Sequence, residues 1–170
     1  MKIISSKILS IITILLTFVG TSCKKGDTGA PGNANVVAST YFAGSSTWSF
    51  ASSSYEATFN VPALTASVQN SGTVQVFFSS TGYSTWRAVP FTYHNPIAGS
   101  NNYFMDFTTS VGYVSLFWTY DSNMASGSEP NAVFGATCLV KVVVIPPAAM
   151  KPQIDLHNYE EVKAAYNLKD

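Results

Sequence analysis

From Asn35 onward, apolar and polar residues alternate with a period of two, the pattern of strands with one buried and one wet face. Tyr55-Glu56-Ala57-Thr58-Phe59-Asn60-Val61 sets Tyr, Ala, Phe and Val on one side and Glu, Thr and Asn on the other. The runs 74–78, 103–107 and 114–120 behave similarly, and weaker candidates lie at 35–43, 46–50 and 85–93. The stretch from Ala132 to Ile145 is apolar at nearly every position and ends at Pro146-Pro147. That is the signature of a central strand covered on both faces.

These runs predict about eight strands, separated by Ser, Thr, Asn and Gly clusters with almost no helical periodicity between them. Without intervening helices a parallel sheet has no crossovers, so an antiparallel sandwich or open barrel is the economical architecture, and the expected fold is all-β, an antiparallel β-sandwich. Asn158-Tyr159-Glu160-Glu161 reads as a helix N-cap and predicts a short C-terminal helix over about 159–167, with Val162, Ala165 and Tyr166 near one face. A simple up-and-down succession would gather the long connections 62–72, 94–102 and 121–131 at one end, a natural place for a binding site. Greek-key crossovers account for the same lengths equally well.

The N-terminus follows a different logic. Lys2 and Lys7 precede an apolar run, Ile8 to Gly20, which has the length of a signal-peptide core and is too short to span a bilayer. Val19-Gly20-Thr21-Ser22-Cys23 resembles a bacterial lipobox, which implies cleavage before Cys23 and lipidation of its thiol; ordinary secretion is the alternative. Acyl chains of that kind hold a protein to a membrane that it does not cross. Next comes Lys24-Lys25-Gly26-Asp27-Thr28-Gly29-Ala30-Pro31-Gly32, with Gly every third residue as in collagen. Three triplets are too few for a stable triple helix, and the segment reads as a spacer reaching roughly 18–34 Å. The organisation is therefore signal peptide 1–22, lipidated Cys and tether 23–34, β domain 35–147 and C-terminal tail 148–170.

Charge sharpens the functional reading. Only 11% of the 170 residues are charged, nine basic against nine acidic, where soluble domains average about 25%. With no basic excess and a single arginine, Arg87, nucleic acid is not an expected partner. Between residues 33 and 140 the only charges are Glu56, Arg87, Asp106, Asp121 and Glu129, while Lys141 falls with the strand end and tail. A surface made of hydroxyls, amides and aromatics suits neutral partners such as glycans or other proteins. Trp48, Tyr83, Trp86 and Tyr113 fall at strand ends or turns and are the candidate ligand-binding residues, although Trp48 and Trp86 also fit core positions.

Candidates for catalysis are sparse. There is no nucleophile elbow, and His94 and His157 are the only histidines. Cys138, on the face of Phe134, Ala136, Val140, Val142 and Val144, reads as a buried, inert thiol. A glycosidase pair would have to come from Glu56, Asp106, Asp121 and Glu129; Glu56 and Asp106, on the polar sides of separate strands, could meet on a sheet face but read as solvated acids. The loop from Asp121 to Glu129 lacks the offsets of a calcium site, and His94 has no second ligand nearby. No catalytic residue, metal or cofactor is expected.

Taken together, the lipobox, the triplets GDTGAPG, the opening Asn33-Ala34-Asn35-Val36-Val37 and the tail IDLHNYEEVKAAYNLKD resemble small lipoproteins of Bacteroidota. The resemblance implies an extracytoplasmic, outer-membrane lipoprotein, on the periplasmic or the surface face, and carries no catalytic residues. The expected function is that of a lipid-anchored binding module of the cell envelope; the alternative is a structural, oligomeric envelope lipoprotein, with a glycoside hydrolase third.

Overall fold

A computed structural model describes residues 35–51, 53–80, 84–95, 101–120, 129–135 and 137–169. The signal segment, Cys23, the tether, Tyr83 and Asp121 lie outside the described residues.

Nine strands form among these residues: β1 (Val37–Ala43), β2 (Ser49–Ala51), β3 (Ser54–Asn60), β4 (Thr73–Ser79), β5 (Arg87–Val89), β6 (Phe91–Asn95), β7 (Asn101–Ser110), β8 (Tyr113–Tyr120) and β9 (Cys138–Ile145). They make two antiparallel sheets, one of order β1-β9-β4-β5 and one of order β2-β3-β8-β7-β6. Helices α1 (Ala66–Ser71), α2 (Pro130–Phe134) and α3 (Tyr159–Tyr166), with short 3-10 turns at Ser45–Thr47 and Pro147–Ala149, complete the described elements. The expected all-β sandwich with a short C-terminal helix is the fold.

Three local differences from the sequence expectation have physical causes. The candidate strand 85–93 is two strands, because Pro90 has no N–H to continue a ladder. The chain turns there through a cis Val89–Pro90 bond, leaving β5 in one sheet and β6 in the other. The apolar run from Ala132 does not form one strand. Pro130 at the first helical turn and Gly135 in the left-handed conformation (φ 68°) close a five-residue helix, and pairing begins only at Cys138. The connection 62–72 holds α1, capped by the Thr65 hydroxyl, which accepts from the Val68 amide. Gly72 then lets β4 start hard against β9, since a Cβ there would stand 2.7 Å from the Ile145 carbonyl oxygen. The topology is not up-and-down: β3 to β4 and β8 to β9 pass between sheets, and neither pair is adjacent.

The alternation sorts side chains as expected. Tyr55, Ala57 and Phe59 of β3 and Val114, Leu116 and Trp118 of β8 face Val76, Phe78, Val140, Val142 and Val144 of the other sheet across the main core. The Tyr41 hydroxyl donates to the Asn60 carbonyl at 2.8 Å, tying β1 to β3. Every residue of β9 is buried, as its nearly continuous apolar run predicts. Its second face packs under the C-terminal segment, where Phe77, Val143 and Ile145 meet Tyr159, Val162, Tyr166 and Leu168. Burying each large apolar side chain contributes about 1.5–3 kcal/mol. Asn158 caps α3 by accepting from the amides of Glu160 and Glu161, so the tail docks as a preformed turn of helix.

One residue on that second face is not apolar. Lys141, 1% exposed, sits in the middle of β9, and its amine donates to the Tyr159 hydroxyl at 2.6 Å. The same amine lies 4.6 Å from the Trp86 ring centre and 4.7 Å from that of Tyr159. Tyr159→Phe is expected to cost about 1–3 kcal/mol by removing the hydroxyl acceptor. Lys141→Met in the same background should recover most of that loss, since no buried ammonium is left to satisfy; urea denaturation of both variants beside the parent measures the two effects.

Candidate binding surface

The two sheets differ in what covers their outer faces. Much of the outer face of the four-stranded sheet lies beneath the C-terminal segment. The outer face of the five-stranded sheet carries the polar half of the alternation in β3, β7 and β8.

Register fixes the layout of that face. Ser49, Glu56, Phe117 and Asp106 form one cross-strand row, and Thr58, Ser115 and Thr108 the next. On the other side of the first row, Thr119, Phe104 and Thr92 stand abreast. Tyr113 marks the far end, opposite Asn60 and Ser110. Phe104 and Phe117 are diagonal neighbours, about 8 Å apart at the backbone, and Tyr113 is about 13 Å further along β8. Phe104 is 40% and Tyr113 50% exposed, so the three rings form a slanting apolar line across a hydroxyl-rich floor. Thr58 and Ser115 share a hydroxyl hydrogen bond of 2.7 Å that holds the floor between strands.

Glu56 and Asp106 flank Phe117, two strand spacings or about 10 Å apart at the backbone. Phe117 stands between them. Asp106 Oδ1 accepts from the Phe107 amide at 2.7 Å, and Glu56 Oε1 from the Thr58 hydroxyl at 3.4 Å. The arrangement is an aromatic floor edged by acceptors.

Of the four aromatic residues singled out in the sequence, the three among the described residues do not come together. Trp48 is only 7% exposed and lies in the main core, so its ring is no platform; its Nε1 has no acceptor among the described residues. Trp86 is half-buried on the far side of the molecule, 5.5 Å from the Tyr159 ring and under Lys141. Tyr113 alone is exposed on the open face, and Tyr83 falls outside the described residues. Sequence reasoning passed over Phe104 and Phe117. The signal was there: each is an aromatic at a position where the alternation requires a polar side chain.

Other candidate groups stay apart. Cys138 is fully buried, and burial, with a smaller contribution from Glu129, pushes its thiol up to about 12. His94 Nδ1 pairs with Asn102 Oδ1 at 3.0 Å, and His157 lies 3.5 Å from Asp155 at the surface. Among the described residues no three His, Cys, Asp or Glu side chains gather into a metal site. Comparison with protein-family models, curated proteins and solved structures returns no match.

Proposed function

We propose that the protein is a lipid-anchored binding module of the bacterial cell envelope, and that the outer face of its five-stranded sheet receives a neutral glycan. The observation that carries this reading is the line Tyr113, Phe117 and Phe104 on the open face. Aromatic rings stack against the C–H faces of sugars, while flanking Thr and Ser hydroxyls donate to and accept from sugar hydroxyls and the carboxylates of Glu56 and Asp106 accept from them. The two carboxylates repel acidic polymers from the same face, which favours neutral chains. The anchor rests on the Val19–Cys23 lipobox resemblance, and no helix among the described residues is long and apolar enough to cross a membrane.

The edge strand β1 favours a second reading, a structural envelope protein assembled from copies of this chain. Its seven residues, Val-Ala-Ser-Thr-Tyr-Phe-Ala, carry no charge or proline to block further pairing, and Phe42 is 68% exposed. Antiparallel pairing of β1 with its copy would join two sheets into one.

On a glycan array the protein should retain neutral polysaccharides, and Phe117→Ala or Phe104→Ala should weaken retention at least about tenfold with an unchanged circular dichroism spectrum. Silence across the array, or variants that bind like the parent, defeats the glycan reading. Cells expressing the chain should incorporate labelled palmitate into it, and Cys23→Ser should abolish the label; a labelled Cys23→Ser chain refutes anchoring at that thiol. Sedimentation equilibrium tests the second reading: Phe42→Lys should shift a dimer to monomer, and a parent that is already monomeric rules assembly through β1 out.

A further inference from the structure

Arg87 is the only arginine of the chain and the only basic residue between Asn33 and Val140. It begins β5, at the edge of the four-stranded sheet, away from the open face of the other sheet. Its guanidinium carbon lies 5.9 Å from the ring centres of both Phe91 and Tyr93. Contacts of that length hold an exposed guanidinium in place by attraction to the ring faces. They use none of its five N–H donors, and among the described residues Arg87 has no hydrogen-bond or ion-pair partner.

The same guanidinium lines a hollow of about 160 Å³ with Ser80, Thr85, Phe78 and Phe134. Phe78 and Phe134 pack at 5.4 Å, and Phe134 packs on Tyr93 at 4.8 Å, so the apolar wall and the arginine's support are one aromatic cluster.

We infer that the Arg87 hollow is a binding site for a carboxylate-bearing sugar of the uronic acid class. The planar fork of a guanidinium matches a carboxylate with two parallel hydrogen bonds, a geometry that an ammonium does not offer. The hydroxyls of Ser80 and Thr85 line the same hollow and can pair with ring hydroxyls, and the half-buried Phe134 ring offers an apolar edge to a sugar ring. The peptide alternative, a chain-terminal carboxylate, shares the charge but has no need of two hydroxyls at the rim.

A lone arginine makes the test direct. In ¹⁵N-labelled full chain in detergent, a single arginine gives a single side-chain Nε–Hε cross-peak, assigned without further work. Titration with glucuronate should move that peak to a plateau, glucose should leave it in place, and N-acetylalanine should need about tenfold higher concentration. Arg87→Lys keeps the charge without the fork and should weaken glucuronate binding, followed by saturation-transfer NMR on the sugar, about tenfold. Phe117→Ala, on the other sheet's face, should leave the titration unchanged, which separates this site from the glycan surface above. A cross-peak that glucuronate does not move, or that glucose moves equally, overturns the site. An N-acetylalanine affinity equal to or above that of glucuronate overturns its assignment to sugars, and an Arg87→Lys chain that binds like the parent overturns the role of the fork.

Discussion

A single ammonium group at the centre of β9 constrains much of this molecule. Removing such a charge from water costs several kcal/mol unless its surroundings replace the lost hydration. Around Lys141 that replacement includes the Tyr159 hydroxyl and two ring faces, contributed by α3 and by the segment before β5. The strand is thus completed only when the tail is in place. Tyr159 meets this requirement while also packing edge-on against Phe77 at 5.1 Å, so the polar contact and the apolar one pin the same helix. Covering this sheet leaves the other sheet's outer face as the broad polar surface available for recognition, and the asymmetry between the faces follows from where the cation lies.

Much of the fold was legible because period-two alternation states burial directly. The strands around Tyr55, Val76, Tyr103 and Val114, the doubly covered β9 and the Asn158-capped helix were all readable from local pattern. What escaped were features set by contacts between distant segments. Pro90 marks a break that periodicity alone reads through, and an apolar run does not reveal that Pro130 and Gly135 bracket a turn of helix within it. Lys141 looks like a surface charge until Trp86 and Tyr159 are seen to enclose it. The candidate site suffered from a preference for tryptophan over position: Trp48 is core, whereas Phe104 and Phe117 occupy polar positions of their strands and so face outward.

The scarcity of charge in the β domain acquires a spatial meaning. Among the described residues the open face carries two acids and no lysine or arginine, arranged around aromatic rings; Arg87, the domain's lone arginine, is mounted on rings of its own at the rim of the other sheet. In a surface otherwise made of hydroxyls and amides, each such charge stands far from competing ions and sets the electrostatic character of its neighbourhood. Position rather than number of charges distinguishes the two surfaces.

The pairing of β9 with both β1 and β4 also governs the order in which the chain acquires structure. Ala43 lies opposite Cys138 and Val37 opposite Val144, so the first described strand has no neighbour in its own sheet until nearly the whole sequence is present. Contacts of such long sequence separation slow folding and prolong exposure of unpaired, uncharged strands. A chain passing N-terminus first through a membrane would have to be kept from self-association for most of its passage, with sheet closure and tail docking as its last events.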